Sequence, residues 1–274
     1  MSAIDPPRGM QNSAPESGFL GRVLQMRAAV IGALIMREVH TRYGRANIGY
    51  LWVFVEPMLL ATAVAAIHTR THGIGGINMV AVAICGYTSF ILFRSIVSRS
   101  EGVLEGNRPL LYHRQVTLLD MLVARSLLES GSNLLAFGLL ISAAIVFGYA
   151  QVPARPLAMI GGYLLMAWFS FAVSLIVCPM VHASHVAARL LHPILYLVLP
   201  ASGAFVLTQW VPGGLRPWYA WFPLTQIEEL IRYGQFANYA TTWFHVGYLL
   251  FVSLALTFVG LLCLRAIRSH IVLD

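Results

Sequence analysis

The stretch MREVHTRYGRANIGYLWVFVEP, Met36 to Pro57, passes from a charged belt to an apolar run within a few residues. Arg37, Glu38, Arg42 and Arg45, with His40 and Tyr43 between them, give way to Ile48, Leu51, Trp52, Val53 and Phe54. Glu56 then stands inside the apolar run, directly before Pro57. Such a belt marks a membrane surface, where polar side chains meet headgroups before the chain enters hydrocarbon. An acid at membrane depth is costly unless partnered, and a proline kinks its helix, so Glu56 is a candidate for function or for a structural ion pair.

The composition agrees. Of 274 residues, 58% are hydrophobic and 11% charged, and the mean hydropathy is +0.73. Soluble domains carry about a quarter charged residues, so this is the composition of a polytopic membrane protein. All 18 basic residues are arginine. A phosphate-binding P-loop requires its lysine, so no ordinary ATP site is built from this chain. The net charge of +7 does not point to nucleic acid, because Arg8, Arg22, Arg27, Arg37, Arg42 and Arg45 cluster before the first long apolar run. That is the positive-inside pattern, with anionic lipid as the counter-charge. Cys85, Cys178 and Cys263 lie in or at the ends of apolar runs and read as small core residues. His182, His185 and His192 have no carboxylate close in sequence, so no metal site is expected.

Residues 1–17 are rich in Pro, Ser and Gly and read as a disordered tail without a cleaved signal peptide. Residues 18–47 form the next segment, an amphipathic helix in the membrane interface. Leu20, Val23, Leu24, Val30, Ile31, Leu34 and Ile35 share one arc of a helical wheel, and Glu38, Arg42 and Arg45 continue it. Residues 48–274 then hold six apolar runs, at 48–68, 77–97, 118–147, 156–178, 191–209 and 243–265, each near the ~20 residues that cross hydrocarbon. Arginines expected inside outnumber those outside by about three to one, which puts both termini in the cytoplasm. The expected fold is an all-α membrane protein.

Two connections are more than turns. The cytoplasmic segment 98–117 offers Ser98 as the cap of a short helix ending near Gly106. The outer segment 210–242 is cut by Pro212, Pro217 and Pro223, so nothing in it spans. Two short helices dipping back into the membrane are expected there, the second opened by a capping box at Thr225–Glu228 and closed by Gly234.

Arg37-Glu38, Arg42-Tyr43, Asn47-Ile48-Gly49, Leu51-Trp52 and Glu56-Pro57 together resemble the inner-membrane permease of bacterial ABC exporters for capsular polysaccharide. The wider class exports O-antigen and teichoic acid. NRPLLYHRQVTLLDMLVAR (Asn107–Arg125) and FPLTQIEELIRYG (Phe222–Gly234) extend the likeness over nearly the whole chain after residue 18. The resemblance implies an interfacial helix, six transmembrane helices and two re-entrant helices before the sixth. It implies a second copy of the chain and two copies of a cytoplasmic ATPase, which holds ATP and Mg, so that this chain is a transport subunit and not an enzyme. It further implies a periplasmic adaptor, an outer-membrane exporter and a lipid-linked polysaccharide in a bacterial inner membrane.

On that reading the ATPase-coupling residues fall at Arg37, Glu38, Arg42, Tyr43, Arg45, Glu101, Glu105, Arg108, Tyr112 and Arg114. Intramembrane ion pairs are expected among Glu56, Arg94, Arg125 and Glu129, the last two spaced to meet within one helix. Trp52, Tyr196, Trp210, Arg216, Trp218, Tyr219, Trp221, Phe222 and Arg232 are candidates for the substrate channel and its outer gate. The outer aromatics have two readings: a belt at the headgroups, or rings that stack on sugar faces without demanding a fixed hydrogen-bond pattern. An intramembrane enzyme is the rival class, and the HExxH and Gly-x-Ser-Gly patterns it needs are missing. The absence of lysine makes a direct prediction. The purified chain in detergent should release phosphate from ATP only at background, with activity appearing once an ATPase subunit is added. Turnover by the chain alone would overturn it.

Overall fold

The structure, a computed structural model, describes residues 17–43, 78–104, 116–239 and 243–271, together with Val55, Met58, Leu59, Thr62, Ala63 and Ala66. The longer helices are α1 (Ser17–Tyr43), α2 (Met79–Arg99), α3 (Leu118–Val146), α4 (Pro156–Ala183), α5 (His185–Ala201) and α8 (Val246–Ile271). Between α5 and α8 lie a 3-10 turn (Thr208–Trp210) and two short helices, α6 (Arg216–Trp221) and α7 (Pro223–Gln235). No strand occurs among the described residues. Among the described residues, four helices are long and apolar enough to cross a membrane: α2, α3, α4 and the Val246–Ile267 part of α8. The expected first span, 48–68, lies mostly outside the described residues.

Local chemistry moves several expected boundaries. The helix at the expected fifth span begins earlier than the apolar run, at His185, because the Ser184 side chain accepts from Ala187 N and caps it. It ends at Ala201 after 17 residues, ahead of Gly203 at φ 88°, a conformation only glycine adopts without strain. Ser98 does not cap a new helix. α2 runs through it to Arg99, the Ser98 hydroxyl donates back to Ser95 O, and residues 100–104 form a turn that buries Val103 and Leu104. α3 starts on a capping box in which Thr117 and Asp120 exchange side-chain to backbone bonds. The capping box expected at Thr225–Glu228 is absent. Pro223 opens α7 in its first turn, the Thr225 hydroxyl donates to Ala201 O, and Glu228 turns to α2. Gly234 does not end α7, which continues to Gln235.

α2 and α4 form the centre. Every residue of α2 from Met79 to Phe93 is buried except Tyr87 and Ile91. α4 packs on α2, α7 and α8, with Phe93 stacked on Phe169 at 6.1 Å and Phe137 on Tyr163 at 4.4 Å. α8 lies at the periphery and leaves Phe251, Leu254, Phe258 and Leu262 exposed, as a lipid-facing helix does. α1 packs along α3. The Val30, Ile31, Leu34 and Ile35 arc is its less exposed side, and Arg27–Asp120 (2.7 Å) and Glu38–Arg125 (3.1 Å) join the two helices. The arc read as a lipid face therefore meets protein for part of its length.

Two glycines let the chain beyond α5 press on the centre, one at the non-helical segment and one on α7. A Cβ at Gly86 of α2 would sit 1.9 Å from Ala204 O, and one at Gly234 of α7 would sit 2.5 Å from Met159 N. Both neighbours are backbone, so neither can swing aside. Gly138, in contrast, faces open space. Gly86→Ala and Gly234→Ala should each destabilise the detergent-solubilised protein by about 1–3 kcal/mol. Gly138→Ala should stabilise by up to about 1 kcal/mol through helix propensity. Thermal midpoints of the three variants against the parent give the check; equal midpoints would remove the close-approach account.

Candidate functional site

The chemistry concentrates where the helices stop. After Ala201 the backbone leaves helical geometry until Arg216 apart from the short 3-10 turn, so its carbonyls lose their intrahelical donors. They are satisfied by α7. The Arg232 guanidinium, 0% exposed, donates from Nη2 to Gly203 O and, at 3.0 Å, to Ala204 O, and from Nη1 to Val206 O at 3.5 Å. Glu229, one turn earlier on the same helix, lies 3.4 Å from Arg232 Nη1. Its Oε1 accepts from Thr208 N (3.1 Å) and Thr208 Oγ1 (2.9 Å), and its Oε2 accepts from the Tyr239 hydroxyl (2.7 Å).

Glu228 takes the other side of α7. Its Oε1 accepts from the Ser89 hydroxyl at 2.5 Å, which ties α7 to a point ten residues, about 15 Å, along α2. The far end of α7 is held by α4. Arg155 donates to Tyr233 O (3.1 Å), Phe236 O (3.3 Å) and Ala237 O (3.2 Å), and its Cζ lies 4.1 Å from the centre of the Tyr233 ring. A cation over the last carbonyls of a helix also suits the helix dipole.

The surface above this cluster is aromatic. Trp218 is 82% exposed and Trp221 63%, while Trp210, Tyr219 and Phe222 are partly buried. Arg216 is fixed by Val211 O and Gln209 O and lies 5.8 Å from the Trp243 ring centre. A cavity of about 300 Å³ opens beside it. Arg232, expected on this surface, is instead interior, because the broken backbone below requires its donors.

On the other side of the fold, Arg99 pairs with Glu129 at 2.9 Å, and Arg125 donates to Arg99 O at 2.7 Å while its Nε lies 3.1 Å from Glu38. Glu38 thus turns inward to α3, and Arg37 beside it is exposed. Glu101 meets His192 at 3.2 Å. Arg94 donates to the Tyr196 hydroxyl at 2.6 Å with its Cζ 4.3 Å from that ring's centre, which joins two residues assigned to different roles from sequence. Arg42 and Tyr43 close α1. Arg45, Trp52, Glu56, Glu105, Arg108, Tyr112 and Arg114 lie outside the described residues. The residues that sequence reasoning passed over are Ser89, Arg155, Thr208 and Glu229. The signal for Glu229 was present in the i, i+3 spacing to Arg232.

Removing the guanidinium strands the Glu229 charge and the carbonyls it serves, a loss of about 3–5 kcal/mol for a broken buried pair. Arg232→Met should therefore not accumulate in membranes, whereas Arg216→Met, half exposed, should accumulate near the parental level. Immunoblots of the membrane fraction distinguish them, and equal levels would show that Arg232 does not hold the segment.

Residues 29–236 match the ABC-2 type transporter family. The chain is 34% identical over 248 residues to the capsule polysaccharide export inner-membrane protein CtrC of Neisseria meningitidis serogroup A, covering 90% of this chain and 93% of that protein. It is 33% identical over 244 residues to the capsule polysaccharide export inner-membrane protein BexB of Haemophilus influenzae, covering 88% and 92%. It is 26% identical over 253 residues to the polysialic acid transport protein KpsM of Escherichia coli, covering 91% and 95%. Matched across most of its length, with apolar helices around a polar cluster, the chain belongs to the ABC-2 type transporter family.

Proposed function

We propose that this chain is the permease subunit of an ABC exporter that moves a lipid-linked capsular polysaccharide across the bacterial inner membrane. The observation that carries this reading is end-to-end similarity to proteins named for capsule polysaccharide export at the inner membrane. Two copies form the transmembrane path, and two copies of a separate ATPase bind ATP and Mg and drive it. A periplasmic adaptor and an outer-membrane exporter receive the polymer.

In this reading α1 lies in the inner interface, six helices cross the bilayer and both termini are cytoplasmic. α6 and α7 re-enter from the outside. Non-helical backbone at membrane depth is tolerated only against protein or water, and the donors from Arg232, Thr225 and Arg155 supply that protein contact. The exposed rings of Trp218 and Trp221 then form the outer gate. The cytoplasmic coupling surface comprises Arg37 on α1 and the turn at Glu101, with the segment from Glu105 to Arg114.

Trp218 makes a suitable test because so exposed a ring adds little to folding. Trp218→Ala should leave membrane-inserted permease and ATPase assembly unchanged. Surface polysaccharide per permease should fall about fivefold, equivalent to ~1 kcal/mol of lost ring contact. If the rings only anchor the protein at headgroups, polymer and permease will fall together, and the gate assignment is lost.

A further inference from the structure

The cavity beside α6 is a built recess. Gln226, 2% exposed, donates from Nε2 to Ala220 O at 2.8 Å and accepts from His245 N at 3.0 Å. One buried side chain thereby fixes α6, α7 and the entry to α8 around the same space. The volume of about 300 Å³ reaches the lower end of the ~300–1,000 Å³ range of small-molecule pockets.

Its charge is one-sided. Among the described residues, Arg216 is the charged side chain in the lining, with His245 beside it and no carboxylate. From residue 201 to 245 the only acids in the sequence are Glu228 and Glu229. Both are buried below the surface and committed to Ser89, Thr208, Tyr239 and Arg232. Carbonyl bonds at Nε and Nη2 fix the plane of the Arg216 guanidinium but do not neutralise it. The recess therefore attracts an anion.

Its walls are flat as well as charged. Trp221 and Trp243 both line it, and Trp221 is braced edge-on by Tyr248 at 5.5 Å and 87°. Indole faces pack on the apolar faces of rings, and a fixed guanidinium recognises carboxylate or phosphate. A lipid phosphate would satisfy the cation and leave the indoles idle, while a neutral sugar would do the reverse. We infer that this recess binds an acidic sugar unit, its ring against Trp221 and Trp243 and its anionic group on Arg216. The inference rests on the reading of the outer segment as the exit for a polysaccharide, and it specifies that the exit selects for acidic polymers.

The test uses the full chain purified in neutral detergent, with tetragalacturonic acid as the probe, its carboxyl-reduced neutral counterpart as control, and soluble short-chain phosphatidylglycerol as competitor. Calorimetric titration should show binding of the acid at least about tenfold tighter than the reduced form, the loss of one charge-assisted contact. Arg216→Gln should abolish that difference, and Arg216→Lys should keep part of it. Because Arg216 also holds two carbonyls, Trp243→Leu and Gly213→Leu supply independent variants. Gly213 lines the recess and an added Cβ there meets nothing within 4 Å, so a larger side chain can be introduced at the recess. Each should weaken the acid at least about tenfold. The proposal is overturned if wild-type protein does not bind the acid, if the reduced tetrasaccharide binds equally, or if the variants bind normally. It is also overturned if phosphatidylglycerol displaces the acid from a site that Trp243→Leu leaves intact, which would make it a headgroup site. Trp218 is not part of the recess lining, so export by Trp218→Ala reports on the gate alone. Normal export with Arg216-dependent binding would remove the gate and leave the recess; lost export with normal binding by the recess variants would do the opposite.

Discussion

The constraint on which the rest of the structure depends is the carbonyl supply of residues 201–211. Where a helix is broken, each buried carbonyl left without a donor costs about 1–3 kcal/mol. Arg232 answers three of them, at Gly203, Ala204 and Val206, and Thr225 answers Ala201. A buried ion pair is not by itself a source of stability, since desolvation offsets most of the Coulomb gain. The Glu229–Arg232 pair is different in kind because each partner also serves backbone: Arg232 the carbonyls, Glu229 the Thr208 N–H. An apolar pair of equal volume would fill the space and leave those groups bare. Position, more than pairing energy, is what the charges contribute.

Close approach is the second half of the same device. The guanidinium reaches its carbonyls only because α2 lets the broken segment lie against it at Gly86, and α7 sits against α4 at Gly234. The opposite side of the molecule is joined more lightly. Arg27, 46% exposed at its side chain, meets Asp120, and Arg99, 33% exposed, meets Glu129. The acid of each pair is buried and its arginine partly exposed, so solvent screens these pairs more than it screens Glu229–Arg232. On the proposed function the division is apt, since α1 and its neighbours receive a motor's movement while the outer segment has to keep its shape.

Hydropathy runs made the long helices legible, because some twenty apolar residues in a row have few alternatives. The runs at 77–97 and 156–178 lie within α2 and α4 almost to the residue at their outer ends. The fifth was displaced, since run length ignores a cap such as Ser184 and a break such as Gly203. Two short helices in the outer segment were legible from its prolines, but the roles of their polar residues were not. Thr225 and Glu228 have capping-box spacing, yet a carbonyl on α5 and a hydroxyl on α2 outcompete the local bonds. Arg232 read as a surface cation for the same reason. Sequence spacing reports neighbours on one helix, and here the partners sit 24 to 139 residues away.

The burial of these groups decides what the outer surface can offer. Every carboxylate between residues 201 and 245 is drawn into the cluster, and Arg232 with them. What remains outside is a set of rings and the half-buried Arg216. Rings so exposed carry little of the folding energy, so they are free to serve a ligand, and without acids beside them they do not repel an anionic one. The same polar residues that let the backbone break below thus leave, above, a surface of indoles and one uncompensated cation.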